Sequence, residues 1–234
     1  MLIGGLQKTS LIDFPNKISA VIFTQGCNFR CPYCHNPELI NGKWKIENGK
    51  CHDKSVLEFL KKRVGKLDGV VITGGEPTLH ADLPEFIKQI KDMGFAVKLD
   101  TNGTNPEMLQ QLINEKLIDY VAMDIKAPID KYSDLVCAKV DTEDILNSME
   151  ILKNSNIDYE FRTTVVKSQL SHADFEKIGA LLKVINGTPK YYLQRFLPTK
   201  ILDESFLTQE TYSDEEFIPI IEELKKYVKS VVLR

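Results

Sequence analysis

Short apolar runs alternate with longer amphipathic segments along most of the chain. Residues 18–24 form a near-continuous apolar run, which is typical of a strand that is covered on both faces. Further runs have the length and the flanking turn residues of strands. The predicted strands are 18–24, 69–73, 96–100, 120–125, 157–166 and 190–197.

Capping residues mark the predicted helices between these strands. Asn105 followed by Pro106 is a strong helix start, because proline suits the first helical position. The predicted helices run from Asp53 to an inward-facing Val64, from the Asp82 cap to Gly94, from Asn105, from Asp141, from the Ser171/Asp174 capping box to Gly187, and from Glu215 to Val228. The alternation predicts an α/β fold of six strand–helix units with a parallel sheet.

The chain is predicted to form one domain over residues 1–234. Residues 1–17 are interpreted as a short N-terminal hairpin, residues 18–200 as the strand–helix units, and residues 201–234 as a C-terminal helix and tail. Six units are too few for a closed eight-stranded barrel. An open, partial barrel fits the pattern, and so does a flavodoxin-like open sheet with helices on both faces.

The composition is that of an ordinary soluble globular protein. Of 234 residues, 43% are hydrophobic and 27% are charged, and the formal net charge of −3 gives no case for a nucleic-acid surface. No apolar run approaches the roughly 18 residues of a membrane span. Five cysteines, in a chain whose start lacks the features of a signal peptide, are typical of reduced thiols. We therefore expect a cytoplasmic protein that binds neither nucleic acid nor a membrane.

Three cysteines, Cys27, Cys31 and Cys34, fall within eight residues directly after the first predicted strand. Thiolates this close together in the sequence are expected to bind the same metal centre or prosthetic group, or to react with one another. A c-type haem would use Cys31 to His35, but haem attachment normally follows export. A redox dithiol would use Cys31 and Cys34 and leave Cys27 unexplained. Zinc could take the three sulfurs with His35 or Cys51, although the usual paired layout is missing. An iron–sulfur cube held at three corners, with one iron left open, uses all three thiols and is favoured.

The C-x3-C-x2-C spacing and the later Gly74-Gly75-Glu76-Pro77 resemble the two signature motifs of the radical SAM superfamily. More narrowly, Thr24-Gln25-Gly26-Cys27 and Cys34-His35-Asn36-Pro37 resemble the glycyl-radical-enzyme activases. Within that group, Ser10-Leu11-Ile12-Asp13-Phe14-Pro15 and the compact length look most like the activating proteins of anaerobic ribonucleoside-triphosphate reductases. The resemblance implies a partial (β/α)6 TIM-like barrel, open on one side, and so favours the barrel over the flavodoxin-like sheet.

The same resemblance implies the cofactors and the reaction. One [4Fe-4S] cluster would be held by Cys27, Cys31 and Cys34, and S-adenosyl-L-methionine would bind its open iron. An electron from a flavodoxin- or ferredoxin-like donor would cleave this cosubstrate to methionine and a 5′-deoxyadenosyl radical. The radical would take a hydrogen atom from a backbone glycine of the partner, a glycyl radical enzyme. No side chain need then act as an acid or a base.

Two rival functions stay open at this point. A radical SAM enzyme of the 7-carboxy-7-deazaguanine synthase type, which acts on a small molecule, is similar in size and in both motifs. Several such enzymes carry a threonine shortly after the last cysteine, where this chain has His35-Asn36. A zinc-binding or thiol-redox module, which belongs to another class, would use Cys31 and Cys34 without radical chemistry.

Candidate ligand-binding residues follow the predicted strands one after another. In parallel strand–helix folds, ligands sit at the carboxyl ends of the strands. Besides the three cysteines, the candidates there are Tyr33, Gly74, Gly75, Glu76, Asp100, Thr101, Met123, Asp124, Lys126, Arg162, Gln194 and Phe196. We therefore expect one cosubstrate site at that end of the sheet.

The resemblance implies how several of these residues contact S-adenosylmethionine. Gly74 and Gly75 would let the backbone approach the methionine amino group closely. Asp124 and Lys126 match an acidic and a basic residue beside the ribose and the carboxylate. Arg162 matches a basic residue that contacts the same ligand.

A monovalent cation is a further expectation from the resemblance. Asp100, Thr101 and Met123 match the positions that hold such a cation beside the cosubstrate in the pyruvate formate-lyase activase. Core packing is an equally good interpretation of Met123, because methionine readily fills gaps in apolar cores.

The adenine contact is the least defined part of the expected site. Tyr33 lies between two of the cysteines, where a backbone or ring contact to adenine is expected. The histidine that the pyruvate formate-lyase activase carries near the end of the sixth strand has no counterpart here, and Gln194 or Phe196 is expected in its place. Cys51 and Cys137 are interpreted as cysteines that bind no cluster.

Overall fold

The computed structural model describes residues 1–40, 53–184 and 190–234. The described strands, β1 to β8, are Ile3–Ser10, Ser19–Thr24, Gly69–Gly74, Ala96–Thr101, Tyr120–Asp124, Asp158–Val165, Tyr191–Arg195 and Val231–Leu233. The described helices, α1 to α8, are Pro37–Ile40, Asp53–Lys61, Leu83–Asp92, Pro106–Asn114, Tyr132–Leu135, Thr142–Asn154, His172–Val184 and Asp214–Leu224. Short 3-10 helices cover Pro77–Leu79, Ile129–Lys131 and Glu204–Thr208. Within these ranges, no helix has the length and apolar character needed to cross a lipid bilayer.

The strands form a single eight-stranded sheet whose order follows the chain from β1 to β8. β1 is antiparallel to β2, and every later neighbouring pair is parallel. A doubly wound sheet reverses its strand order at a switch point, whereas a barrel winds in one direction. The α/β fold and the open barrel are therefore confirmed, and the flavodoxin-like alternative is wrong. β1 and β8 are the two edges of the sheet, which stays open between them.

The N-terminal hairpin is present, but residues 1–17 do not form it alone. Its second arm is β2, and Leu6 of β1 lies opposite Ile22. Residues 11–18 connect the two strands through bends and turns. A strand needs a partner with free backbone groups, and the exposed edge of the first parallel strand supplies one.

Several regular elements end at other residues than predicted, and the last helix ends at Leu224 instead of Val228. α2 ends at Lys61, and Val64 beyond it is exposed rather than turned inward, because the chain leaves the helix through a turn in which Gly65 has φ +74°. The predicted tail contains β8, which adds a parallel strand after the sixth unit. The predicted end of α7 at Gly187 lies outside the described residues.

The predicted caps are partly confirmed. The Asn105 side chain accepts a hydrogen bond from the backbone N–H of Met108 and caps α4. Asp82 makes no such cap for α3, because its carboxylate pairs with the amino group of Met1. The Asp174 carboxylate accepts from the backbone N–H of Ser171, which is one half of the capping box expected at α7.

One face of the sheet packs against the helices and forms the main hydrophobic core. Residues that pair directly across neighbouring strands point to the same face. Ile22, Ile72 and Leu99 form such a row, and all three are fully buried in that core.

The opposite face, which we call the inner face, is apolar at one end and charged at the other. Val21 and Val71 pack with Phe14 in the amino halves of their strands. Towards the carboxyl ends the side chains become polar, and the charged residues of this face are Lys98, Asp100, Asp124, Glu160 and Arg162. Alternation along the strands therefore directs charges into the barrel, where each needs a partner to be stable.

Candidate active site

A cavity of about 300 Å³ lies at the carboxyl ends of the strands. Every site residue predicted from the sequence lines this cavity, except Met123 and Phe196. Residues that were not among the predicted site residues line it as well: Phe29, His35, Asn36, Thr73, Asn102, Thr164 and Arg195. The strand ends therefore bring three features to one place. These are residues 25–36, which we call the cysteine loop, residues 74–77, which we call the glycine motif, and the charged residues.

The three cysteines of the loop after β2 face this cavity with protonated thiols. Burial raises the pKa of Cys27 to about 12 and the pKa of Cys31 to about 11, and it also raises the pKa of Cys34. The positive charge of Lys126 acts on all three in the opposite direction. Metal ions bind thiolates, so binding here must displace protons.

The three thiols suit the ligation of an iron–sulfur cluster. Three thiols that line one cavity at separate positions match the corners of an iron–sulfur cluster, which binds each cysteine through a different iron. Cys51, the alternative zinc ligand, lies outside the described residues.

A buried hydroxyl beside these thiols also indicates that a group binds here. Tyr33 is only 3% exposed, and its hydroxyl has no hydrogen-bond partner within the part of the chain that the structure describes. Burying an unpaired hydroxyl costs about 1–3 kcal/mol, and a group bound in the cavity can offset that cost. The residues present therefore fit an iron–sulfur cluster.

A row of alternating charges also reaches the cavity, which Asp100, Asp124, Lys126 and Arg162 line. Asp124 accepts from Lys126 Nζ and from Arg162 Nε, both at 2.9 Å. Arg162 Nη1 donates to Asp100 at 3.1 Å, and Lys98, which is 2% exposed, donates to the same carboxylate. We call these five residues the charged row. Its three cations and two carboxylates leave it one positive charge in excess, which suits a ligand that carries a carboxylate.

Electrostatics inside the row keep its acids ionised. Burial alone would raise the pKa of Asp124, but Arg162 and Lys126 outweigh burial and lower the pKa to about 2. The pKa of Asp100 is lowered in the same way, against burial, by Arg162 and Lys98. Because each acid is charged and held between two cations, the row is rigid before any ligand binds.

Two of the three residues predicted to bind a monovalent cation line the cavity, and the third does not. Asp100 and Thr101 line the cavity, but Met123 is fully buried in the main core, where its side chain fills the space beside Gly103. The Asp100 carboxylate already has two cationic donors, Lys98 and Arg162. The monovalent cation stays a prediction.

The carboxylate of Glu76 forms its hydrogen bonds with groups of the protein itself. It accepts from the backbone N–H and the hydroxyl of Thr78, from the Thr101 hydroxyl at 2.7 Å and from the Asn102 N–H at 2.7 Å. Burial raises its pKa, and these hydrogen bonds oppose that effect. Glu76 therefore joins the end of β3 to the end of β4, and its expected contact with the cosubstrate stays a prediction.

Gly74, the last residue of β3, and Gly75 are required by the packing of one backbone against another. Gly75 N–H donates to Thr24 C=O at 2.9 Å, and Glu76 N–H donates to Gly26 C=O at 2.7 Å. A Cβ on Gly75 would overlap the Gly26 carbonyl, and Gly74 has φ +114°, which side chains rarely allow. The glycine motif thus holds the start of the cysteine loop through backbone hydrogen bonds, in addition to its expected contact with the methionine amino group.

A second polar link joins the cysteine loop to the loop after β4. Asn28 Oδ1 accepts from Asn102 Nδ2 at 2.8 Å, and Asn28 Nδ2 donates to the Thr104 hydroxyl at 2.8 Å. Sequence reasoning missed both asparagines, because neither has a distinctive spacing from the motifs. Their position beside a cysteine and at a strand end was the available signal.

Residues 196–203, which we call the strap, lie against the cysteine loop. His35 Nε2 bonds to the Leu197 carbonyl at 2.9 Å, and the Asp203 N–H donates to the Pro32 carbonyl at 2.9 Å. Lys200 adds an ion pair to Glu38 at 2.7 Å. The strap has no periodic pattern, so these contacts could not be predicted from the order of its residues.

The two candidates for the adenine contact, Gln194 and Phe196, lie in different environments. Gln194 lies on β7 and lines the cavity. Phe196 is fully buried, and its ring centroid lies 5.9 Å from that of His35. The structure therefore places Gln194 at the cavity and Phe196 behind the cysteine loop.

A family model and two related proteins agree on the family to which this chain belongs. The family model described as the radical SAM superfamily matches residues 21–182. A protein of Methanocaldococcus jannaschii, provisionally named a glycyl-radical enzyme activating enzyme, is 38% identical over 240 residues, which cover 100% of this chain and 95% of that protein. The pyruvate formate-lyase-activating enzyme of Clostridium pasteurianum is 29% identical over 204 residues, 82% of this chain and 80% of that enzyme.

A solved structure shares the fold at low sequence identity. SuiB of Streptococcus suis, solved with S-adenosylmethionine bound, matches with a TM-score of 0.68 and 14% identity. The match covers 92% of this chain and 49% of SuiB.

Replacing Gly75 with alanine tests the backbone contact. We expect Gly75→Ala to lower the free energy of unfolding by about 1–3 kcal/mol, because the added Cβ must push the glycine motif away from Gly26. Urea unfolding followed by circular dichroism measures this. Gly5→Ala is the matched control, since a Cβ there would meet Phe23 at an ordinary 3.6 Å. Equal stability of the two variants would contradict the close approach.

Acid titration tests the charged row. Because the folded-state pKa of Asp124 is depressed from 3.8 to about 2, its ionisation stabilises the fold above about pH 4 and this contribution is lost as pH falls towards 2. We expect Asp124→Asn to cost about 2 kcal/mol or more at pH 7 and to flatten the loss of stability between pH 4 and 2, as measured by urea midpoints. Asp130→Asn should keep the wild-type profile, because solvent screens its exposed pair with Lys177. An unchanged acid profile in Asp124→Asn would show that the row does not hold this carboxylate ionised.

Proposed function

Since this chain belongs to the radical SAM superfamily, we propose that it is an enzyme that installs a glycyl radical on a partner protein. The full-length similarity to a provisionally named activating enzyme and the similarity to a pyruvate formate-lyase-activating enzyme support this class of reaction. We propose further that the partner is an anaerobic ribonucleoside-triphosphate reductase. The stretch from Ser10 to Pro15 and the compact length support that choice.

The observation that carries the proposal is that three thiols and a fixed row of charges line one cavity. In the superfamily, a [4Fe-4S] cluster with S-adenosylmethionine supplies a 5′-deoxyadenosyl radical by one-electron cleavage of the cosubstrate. Cys27, Cys31 and Cys34 would hold that cluster. Their thiols lie where burial excludes water from most of each side chain, so a bound cluster would be shielded from solvent.

The charged row would bind the methionine part of the cosubstrate. An ammonium has three N–H donors, so Lys126 can serve both Asp124 and a ligand carboxylate. Arg162 is fixed by two carboxylates and presents a positive charge to the same cavity. Because the protein has already ordered these groups, binding costs little further conformational entropy.

Other residues would position the remaining parts of the ligand. The backbone at Gly74 and Gly75 lines the cavity beside the cysteine loop, where a ligand amino group could donate to a carbonyl. Gln194 offers an amide at the end of β7, which could pair with a polar edge of adenine. Tyr33 lines the same cavity, so it could contact adenine through its backbone or its ring.

Access for a macromolecular substrate agrees with the open sheet. β1 and β8 do not pair with each other, so the barrel has a side opening that a glycine-bearing loop could enter. In this proposal a flavodoxin- or ferredoxin-like protein supplies the electron, and the reaction takes place in the cytoplasm.

Radical transfer to the reductase is the direct test. The protein would be loaded with iron and sulfide without oxygen, reduced, and mixed with S-adenosylmethionine and an anaerobic ribonucleoside-triphosphate reductase. We expect a glycine-centred doublet in the electron paramagnetic resonance spectrum. If methionine and 5′-deoxyadenosine form while no glycyl radical enzyme acquires a radical, the small-molecule rival of the 7-carboxy-7-deazaguanine synthase type is favoured. A colourless zinc protein or a reducible Cys31–Cys34 disulfide would favour a binding module instead.

Cysteine variants identify the ligands in the same experiment. Alanine at Cys27, Cys31 or Cys34 should abolish both iron binding and cleavage of the cosubstrate. Cys137→Ala is the matched control, because Cys137 is exposed and is absent from the residues that line the cavity. Cys51→Ala should likewise keep the cluster. Loss of iron from either of these two variants would show that the assigned ligand set is wrong.

A further inference from the structure

The first strand of the sheet has a long edge with which no described strand pairs. β1 is first in the strand order and pairs with β2 on one side, so every second residue directs its backbone N–H and C=O groups away from the sheet. The opposite edge, β8, has only three residues, whereas β1 has eight. Of the two strands beside the side opening of the barrel, β1 therefore offers more backbone groups to a further chain.

A groove of about 280 Å³ lies along the first half of β1. Residues 4–7 of β1 form one side of it, and Phe23, Asn36, Glu38 and Leu39 complete the lining. The groove therefore runs between the edge strand and the segment that leads from the cysteine loop into α1.

Two adjacent glycines keep this groove open. A Cβ on Gly4 would overlap the Leu39 side chain, so the packing of α1 explains that glycine. A Cβ on Gly5 would lie an ordinary 3.6 Å from the Phe23 ring, and Gly5 is not among the glycines with positive φ, so the fold does not require a glycine there. Glycine inside a strand weakens it and often marks a place where another backbone approaches closely.

The groove continues into the active-site cavity. Asn36 lines both the groove and the cavity, and it follows Cys34 by two residues. Its side-chain amide can donate and accept hydrogen bonds, as a passing peptide backbone requires. A chain that lies along β1 can therefore pass Asn36 and reach the place where the cosubstrate is expected.

We propose that the glycine-bearing segment of the partner enzyme binds as an extended strand along the free edge of β1 and enters the cavity past Asn36. The edge supplies backbone hydrogen bonds, and the glycine pair lets the segment come close. A helix does not fit this role, because its backbone groups are already paired with one another. The inference rests on the proposed function, since it concerns a protein substrate.

Gly5→Phe tests the position of the segment, because a ring at this residue fills the groove while its Cβ keeps an ordinary contact with Phe23. Thr9→Phe is the matched control, because it adds the same ring to an exposed residue of β1 outside the groove. The probe is a fluorescent peptide with the radical-bearing glycine segment of the reductase. Its anisotropy is measured with the iron-loaded protein and S-adenosylmethionine, without oxygen. We expect Gly5→Phe to weaken binding about tenfold and Thr9→Phe to bind as the wild type does.

Methylation of the peptide nitrogens tests the strand pairing itself and uses the wild-type protein. Successive N–H groups of an extended strand point to opposite sides, so every second N–H of the bound segment faces β1. One peptide is methylated at odd positions and the other at even positions. We expect one of them to lose affinity about tenfold and the other to bind as the unmodified peptide does. Equal affinities of the two methylated peptides would overturn the inference.

Two further results would also overturn it. One is unchanged peptide binding in Gly5→Phe. The other is a wild-type dimer in sedimentation that Gly5→Phe dissociates, because a second copy of this chain would then occupy the edge. If urea unfolding shows that Gly5→Phe is unstable, the methylated peptides decide. The proposed function fails separately, when the wild-type protein forms no glycyl radical on the reductase. Radical formation together with equal binding of both methylated peptides overturns this inference alone.

Discussion

The alternating charges from Lys126 through Asp124, Arg162 and Asp100 to Lys98 are the interaction on which the rest of the site depends. Charges inside a barrel are expensive, and they persist only when each one has a partner with good geometry. Each of the two acids, Asp124 and Asp100, pairs with two cations. Removing any one of the five side chains would therefore leave a buried charge without one of its partners. The row therefore fixes the carboxyl ends of β4, β5 and β6 relative to one another, and it does so without any bound ligand.

The cysteine loop is held by different forces. Backbone contacts to the glycine motif fix its start, the Asn28–Asn102 hydrogen bond fixes its middle, and the strap covers its end. Each contact comes from a different strand end, so the loop has its conformation only when the whole sheet is assembled. Gly74 and Gly75 are therefore needed to hold the start of the cysteine loop, even apart from their expected contact with a cosubstrate.

Much of the architecture follows from local sequence patterns. Apolar runs locate the parallel strands to within a few residues, and the rule that ligands lie at their carboxyl ends is enough to group Cys27, Asp124 and Arg162 at one site. The side-chain direction of Met123 and Phe196 does not follow, because a strand covered on both faces lacks the alternation that tells one face from the other. Lys98 was missed for a related reason. A lysine in a strand normally indicates solvent, and only the pairing register shows that this one faces Asp100 inside the barrel.

The strap has a consequence for the order of events in biosynthesis. His35 receives its contact from a residue that is 162 positions further along the chain. The cysteine loop is therefore synthesised long before the strap that contacts it. The contacts of His35 and Pro32 with the strap can form only after residues 196–203 have been synthesised. Until then, the loop that carries the three cysteines lacks one of the segments that contact it in the folded protein.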